Sequence, residues 1–169
     1  MTATRAEYET RLREEAVKVR GVRFLHNGRV PSQGFDCLGL VVWLQRAAGC
    51  LDFPDTERFW PSDWHVHAQT ELYLEGVAPH SIAVPNMNML RPGDVVLFRL
   101  GMIFPGSGSM RVQHIGVVMS TGADIRFLQC LQGRGVIESS LRERAWTKCF
   151  VQGGRSYALM RYLGEAGGQ

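Results

Sequence analysis

The sequence predicts an α+β fold, on three observations. The first half carries apolar residues at helical spacing, the second half breaks into short runs of β-branched and aromatic residues, and a Pro-Gly-Asp turn at 92–94 divides the two. At 169 residues the chain is long enough to bury one core without staples, so a single domain over 1–169 is expected.

The first helix starts at Thr4, which with Glu7 three residues later has the form of a capping box. Tyr8, Leu12, Ala16 and Val19 then recur on one face before Gly21 ends it. From Val22 to Phe35 the chain carries Gly28, Pro31, Ser32 and Gly34 and reads as a loop. Asp36 stands where an N-cap belongs, and Cys37, Leu40, Val41, Leu44 and Ala48 follow on one face up to Gly49. Leu38, Val42 and Trp43 are apolar too, so this second helix is expected at the centre of the domain.

Prolines 54, 61, 79 and 85 interrupt the stretch from Asp52 to Leu90. Ser62 there offers a cap for a helix over 63–75. Strands are expected at Val95–Arg99, His114–Met119, Ile125–Cys130, Gly135–Glu138 and Tyr157–Tyr162, with a hairpin tip at Gln132–Gly135 that exposes Arg134. Ser140 and Glu143 form a second capping-box pattern ahead of a short helix that carries Trp146.

The charge balance excludes several function classes. Nineteen Lys and Arg face sixteen Asp and Glu, and the N-terminal basic residues alternate with Glu instead of forming a stripe, which argues against nucleic-acid binding. No apolar run reaches the roughly 18 residues of a membrane span, and Met1 to Arg20 has no apolar signal core. The chain therefore reads as cytoplasmic when synthesised. Four cysteines without CxxC pairing read as free thiols, of which Cys50, Cys130 and Cys149 are expected to be core or inert. His65 and His67 would face different ways on the expected helix, and a zinc site joining them to His80 or a cysteine is not expected.

Cys37 is the candidate nucleophile. A thiol at a helix N-terminus meets the partial positive charge of unpaired N–H groups, which lowers its pKa and can also face an oxyanion. His114 opens a strand as the candidate base, with Gly116 next on its face leaving space against a helix. Gln129 on the following strand can accept the imidazole N–H and fix the ring. Asp36 is most simply the cap.

These residues carry a resemblance. Gly34-Phe35-Asp36-Cys37-Leu38-Gly39-Leu40-Val41 resembles the nucleophile motif of the NlpC family of papain-like cell-wall cysteine endopeptidases. Arg91-Pro92-Gly93-Asp94-Val95-Val96-Leu97-Phe98 is similar to that family's turn and first strand, and Gln113-His114-Ile115-Gly116-Val117-Val118 to its histidine strand. Order and spacing agree over about Arg20 to Tyr162, leaving the first helix as an addition.

The resemblance implies a Cys-bearing helix packed on an antiparallel sheet that carries the His, with Cys37, His114 and Gln129 catalytic and Asp36 near the substrate. It further implies hydrolysis of peptidoglycan stem peptides, commonly between D-glutamate and diaminopimelate, with no metal or organic cofactor. Three residues depart from the family pattern: Phe24 stands where many members have Tyr, which removes a hydroxyl near the site; Leu38 replaces Ser; and Gln129 replaces His. Leu38 and the missing signal peptide resemble the phage-encoded branch. That implies phage tail proteins as partners, a virion-associated location, and as an alternative function tail assembly on a weak or inactive peptidase fold. A papain-like amidase or acyltransferase is the other alternative.

Overall fold

The computed structural model describes residues 3–55, 71–102 and 111–165. Helix α1 (Arg5–Val19) begins as expected: Thr4 accepts from the Glu7 N–H, and the Glu7 carboxylate accepts from the Thr4 N–H at 2.8 Å. Its Tyr8, Leu12, Ala16 and Val19 are buried. The expected loop after it contains a small antiparallel pair, β1 (Arg29–Val30) and β2 (Gly34–Phe35). Helix α2 (Cys37–Ala47) follows directly, and Gly49 lies beyond its end at φ 109°, a conformation that glycine adopts without strain.

Of the expected 63–75 helix, residues 63–70, with His65 and His67 among them, lie outside the described residues. A helix α3 spans Leu72–Val77, and β3 (Ser81–Val84) comes after it, a strand that the proline-interrupted pattern did not reveal. Then come β4 (Val95–Phe98), β5 (His114–Ser120), β6 (Arg126–Leu131), β7 (Gly135–Ser140), α4 (Arg144–Cys149), β8 (Phe150–Ser156) and α5 (Tyr157–Tyr162).

Two expectations are corrected here. The segment Tyr157–Tyr162 is helix, not strand: Ala158, Leu159 and Met160 are all buried, which half-buried strand alternation would not allow. The strand lies one step earlier, in β8, where Gly153 and Gly154 hid it. A Cβ on Gly153 would come within 2.5 Å of Leu90, and one on Gly154 within about 3 Å of Ser81, Val95 and Val77, so the glycines let the sheet close around them. The Ser140–Glu143 box also differs, since the Glu143 carboxylate accepts from the Ser140 N–H but the helix starts only at Arg144, with Glu143 as its N-cap.

The six-stranded sheet has the order β3-β8-β4-β5-β6-β7, with every neighbouring pair antiparallel. Alternation along the strands gives it two apolar faces. One meets α1 and α2, where Leu40, Val41 and Leu44 pack with Ile115, Val117, Leu128 and Cys130. The other gathers Phe98, Val118, Phe127 and Trp146. Gln45, fully buried on α2, accepts from the Tyr8 hydroxyl at 2.6 Å and donates to Gly93 O at 2.7 Å, which fixes α2 against α1 and the turn before β4. No helix among the described residues is long and apolar enough to cross a membrane.

Candidate active site

Cys37 is the first residue of α2 and is 8% exposed. Asp36 caps it: Oδ1 accepts from the Gly39 N–H at 2.6 Å and from Arg29 Nη1 at 2.9 Å, while Oδ2 accepts from the Asn27 N–H at 3.0 Å. With both oxygens engaged, Asp36 serves the helix end. The residue after the cysteine, Leu38, lines a cleft beside it together with Phe53, Asp55, Tyr73, Ile115 and Ser156.

His114, 3% exposed, opens β5 and points to the face opposite Ile115. Its ring lies 6.0 Å from the Trp146 ring and nearly parallel to it, and 5.9 Å from the Phe98 ring. Its Nε2 donates to Gln129 Oε1 at 2.7 Å, and the Gln129 amide Nε2 donates to Ser139 Oγ at 2.7 Å. With Gln129 Oε1 facing the ring as the bonded acceptor, the proton sits on His114 Nε2 and Nδ1 is left as the basic nitrogen. The space beside Gly116 is filled by the Phe127 ring, which a Cβ there would meet at 2.8 Å, and not by a helix as the sequence suggested.

The structure joins His114 to Gln129 but does not bond the imidazole to the sulfur: the ring lies on the sheet face of Phe98 and Trp146, while Cys37 meets β5 at the Ile115 backbone. The side-chain partner of Cys37 Sγ is the Tyr73 hydroxyl at 3.1 Å. The backbone N–H groups of Ile115 and Leu38 also favour its thiolate, and Ile115 is the residue after His114. Tyr73 is the site residue that sequence reasoning missed. It comes from α3, 36 residues away, and the one hint was the hydroxyl absent at Phe24. Phe24 itself bridges to Phe35 and packs against the core.

The electrostatics correct one expectation. Burial, and then the charge of Asp36, push the Cys37 thiol up to about 11, against the lowering that its helix-end position suggested. Burial pushes His114 down to about 4, outweighing the Gln129 contact. The resting pair is thus a neutral thiol and a neutral imidazole over the whole middle of the pH range. Among the other thiols, Cys130 donates to Phe35 O at 3.1 Å, and all four cysteines are free and buried.

A cysteine at the start of a helix packed on an antiparallel sheet, with a histidine on one strand bonded to an amide on the next, is the arrangement of a papain-like domain. The chain belongs to the NlpC/P60 family, which its residues 21–155 match. It is 31% identical over 134 residues to the gamma-DL-glutamyl hydrolase of Bacillus subtilis strain 168, covering 79% of this chain and 26% of that protein. In fold it is similar to an NLP/P60-family protein of Staphylococcus aureus described as similar to lipoprotein (TM-score 0.57, 18% identity, 92% of this chain and 43% of that one). It is also similar to the NlpC/p60 domain of the peptidoglycan hydrolase SagA (TM-score 0.52, 16% identity, 86% of this chain and 97% of that one). The chain spans about a quarter of the length of the curated relative.

Proposed function

We propose that this domain is a cysteine endopeptidase that hydrolyses peptidoglycan stem peptides at the bond between D-glutamate and diaminopimelate. Cys37 is the nucleophile, His114 the base and then the acid, and Gln129 the residue that orients the ring. The observation that carries this reading is the 2.7 Å bond from His114 Nε2 to Gln129, which leaves Nδ1 free to accept a proton, one residue from the Ile115 amide beside the Cys37 sulfur. The relative named gamma-DL-glutamyl hydrolase supports a γ-glutamyl bond as the target.

In the reaction the thiol turns from Tyr73 toward Nδ1 and gives up its proton as sulfur attacks the amide carbonyl. The N-terminus of α2, with the Cys37 N–H, faces the developing oxyanion. The tetrahedral intermediate collapses, the amine leaves with the proton from the imidazolium, and a thioester remains on Cys37. Water then attacks the thioester with His114 as base, releasing the γ-carboxylate and restoring the thiol.

Digestion of defined muropeptides, with products weighed by mass spectrometry, tests the reading. It predicts cleavage between D-glutamate and diaminopimelate by the wild type and none by Cys37→Ala at unchanged circular dichroism. Cleavage by that variant would refute it, and turnover of some other amide or ester alone would favour an amidase or acyltransferase. A second reading, a tail-associated protein of the phage-encoded branch, rests on the resemblance of Leu38, after the cysteine, to that branch. Absence of the chain from purified tails and no tail defect on its deletion would exclude that role.

A further inference from the structure

We propose that Arg29 is the positioning residue of the cysteine site: one guanidinium that holds the cap carboxylate of the Cys37 helix and the Asp55 wall of the cleft as a single unit. The proposal rests on the reading of Cys37 as nucleophile.

The geometry uses two nitrogens of the arginine fork. Nη1 donates to Asp36 Oδ1 at 2.9 Å and to Gly28 O at 3.0 Å, and Nε donates to Asp55 Oδ2 at 3.3 Å. The side chains are 26%, 11% and 21% exposed for Arg29, Asp36 and Asp55, so the network is only partly open to water and screens less than a surface pair. A lysine in place of Arg29 could present its charge but not three directed bonds in two directions.

The site is shaped around this fork. A Cβ on Gly39, in the first turn of α2, would lie 1.9 Å from Gly28 O and 2.8 Å from Arg29 Nη1, so only glycine lets the guanidinium and the Gly28 carbonyl reach the cap. On the other side, Asp55 lines the cleft with Tyr73, and its Oδ1 is buried without a hydrogen-bond partner among the described residues. Arg29 thus ties the helix end that carries the sulfur to the cleft wall that the substrate meets.

It also balances charge where the sulfur is most sensitive to it. Among the described residues, the groups acting on Cys37 are Asp36 at the cap, Tyr73 from α3 and Cys130 from β6, with His114 one residue from Ile115. Of these, only Asp36 is negative at neutral pH, and Arg29 is its cationic partner.

The test reads local charge and substrate handling separately. Alkylation of Cys37, located by peptide mass spectrometry in the full chain, is timed at pH 8 with iodoacetamide and with iodoacetate. The ratio of the two rates reports charge near the sulfur and needs no turnover. In Arg29→Gln the unpaired Asp36 repels the anionic reagent, and the iodoacetate-to-iodoacetamide ratio falls about fivefold, the effect of one added charge about 4 Å away in water. Arg29→Gln/Asp36→Asn returns the ratio to within about twofold of wild type, because the local charge is restored. Arg29→Lys keeps the ratio but raises KM for stem peptide, since Asp55 is no longer held. Asp55→Asn raises KM in the same way, and it serves as the test should Arg29→Gln not fold.

A folded Arg29→Gln protein with a wild-type ratio and wild-type kcat and KM would overturn the proposal; a fall in Tm alone would mark Arg29 as an ordinary structural ion pair and overturn it too. Wild-type protein inert toward every stem peptide, with the ratio still shifted by Arg29→Gln, would sink the assigned reaction and leave the charge balance standing.

Discussion

Lowering the pH from 7 toward 4 protonates His114 in the unfolded chain but not in the folded one. The unfolded imidazole titrates near 6.5, whereas burial holds the folded one down at about 4. Between those values the unfolded state binds the extra proton, so stability falls as pH falls through this window, and the contribution is intact above 6.5. The difference of about 2.5 pH units corresponds to about 3 kcal/mol, most of it gone by pH 4.5. Urea unfolding of the wild type and of His114→Asn at pH 7.5, 6.0, 5.0 and 4.5 isolates it, because other titrating groups, such as the exposed Glu7 and Asp124, are common to both proteins. Wild-type stability should drop by about 2–3 kcal/mol more than that of the variant across this range. Parallel pH curves for the two proteins would refute the claim that the imidazole is buried and neutral.

The same neutral imidazole should keep kcat/KM on its plateau well below pH 6, with the acid limb near 4; a limb at 6 to 7 would show a solvated histidine. Gln129→Leu strands the buried imidazole Nε2 and the Ser139 hydroxyl, so a loss of about 1–3 kcal/mol in urea unfolding and at least a tenfold loss of kcat are expected. Gln129→His, the residue more frequent in the family, should recover part of that kcat. Tyr73→Phe removes a hydroxyl that favours the thiolate, so iodoacetamide should modify Cys37 several-fold more slowly; a faster reaction would mean that the phenol acts only as a cover. Gly39→Ala drives a methyl into the Gly28 carbonyl and should lower stability by about 3 kcal/mol, read as a drop in Tm.

The elements that place the candidate site were the most legible in the sequence, and the reason is physical. Asp36, Cys37 and the apolar repeat to Ala48 form a helix by local rules of capping and periodicity, and β5 and β6 alternate cleanly enough for His114 and Gln129 to share a face. Elements shaped by distant packing were not legible. Gly153 and Gly154 carry no strand propensity and are needed only because Leu90, Ser81 and Val95 crowd them, while the aromatic ends of Tyr157–Tyr162 imitate a strand that tertiary burial turns into helix. The thiol's ionisation was misread for a related reason. Helix-end charge can be read from position, but the burial and the Asp36 charge that outweigh it belong to the folded surroundings. Tyr73 and Arg29 act at Cys37 and at its cap across gaps of chain, and nothing in their local sequence marks them.

The central claim is that the Cys37 sulfur becomes covalently bonded to the substrate's glutamyl carbonyl. Rapid acid quench of the domain with a diaminopimelate-containing stem peptide, followed by intact-protein and peptide mass spectrometry, tests it directly. The account predicts a transient adduct of the D-glutamyl fragment mass on the peptide that carries Cys37, more abundant at early times and absent from Cys37→Ala. Product formation with no adduct on Cys37 at any time resolved, or an adduct on another residue, would contradict it.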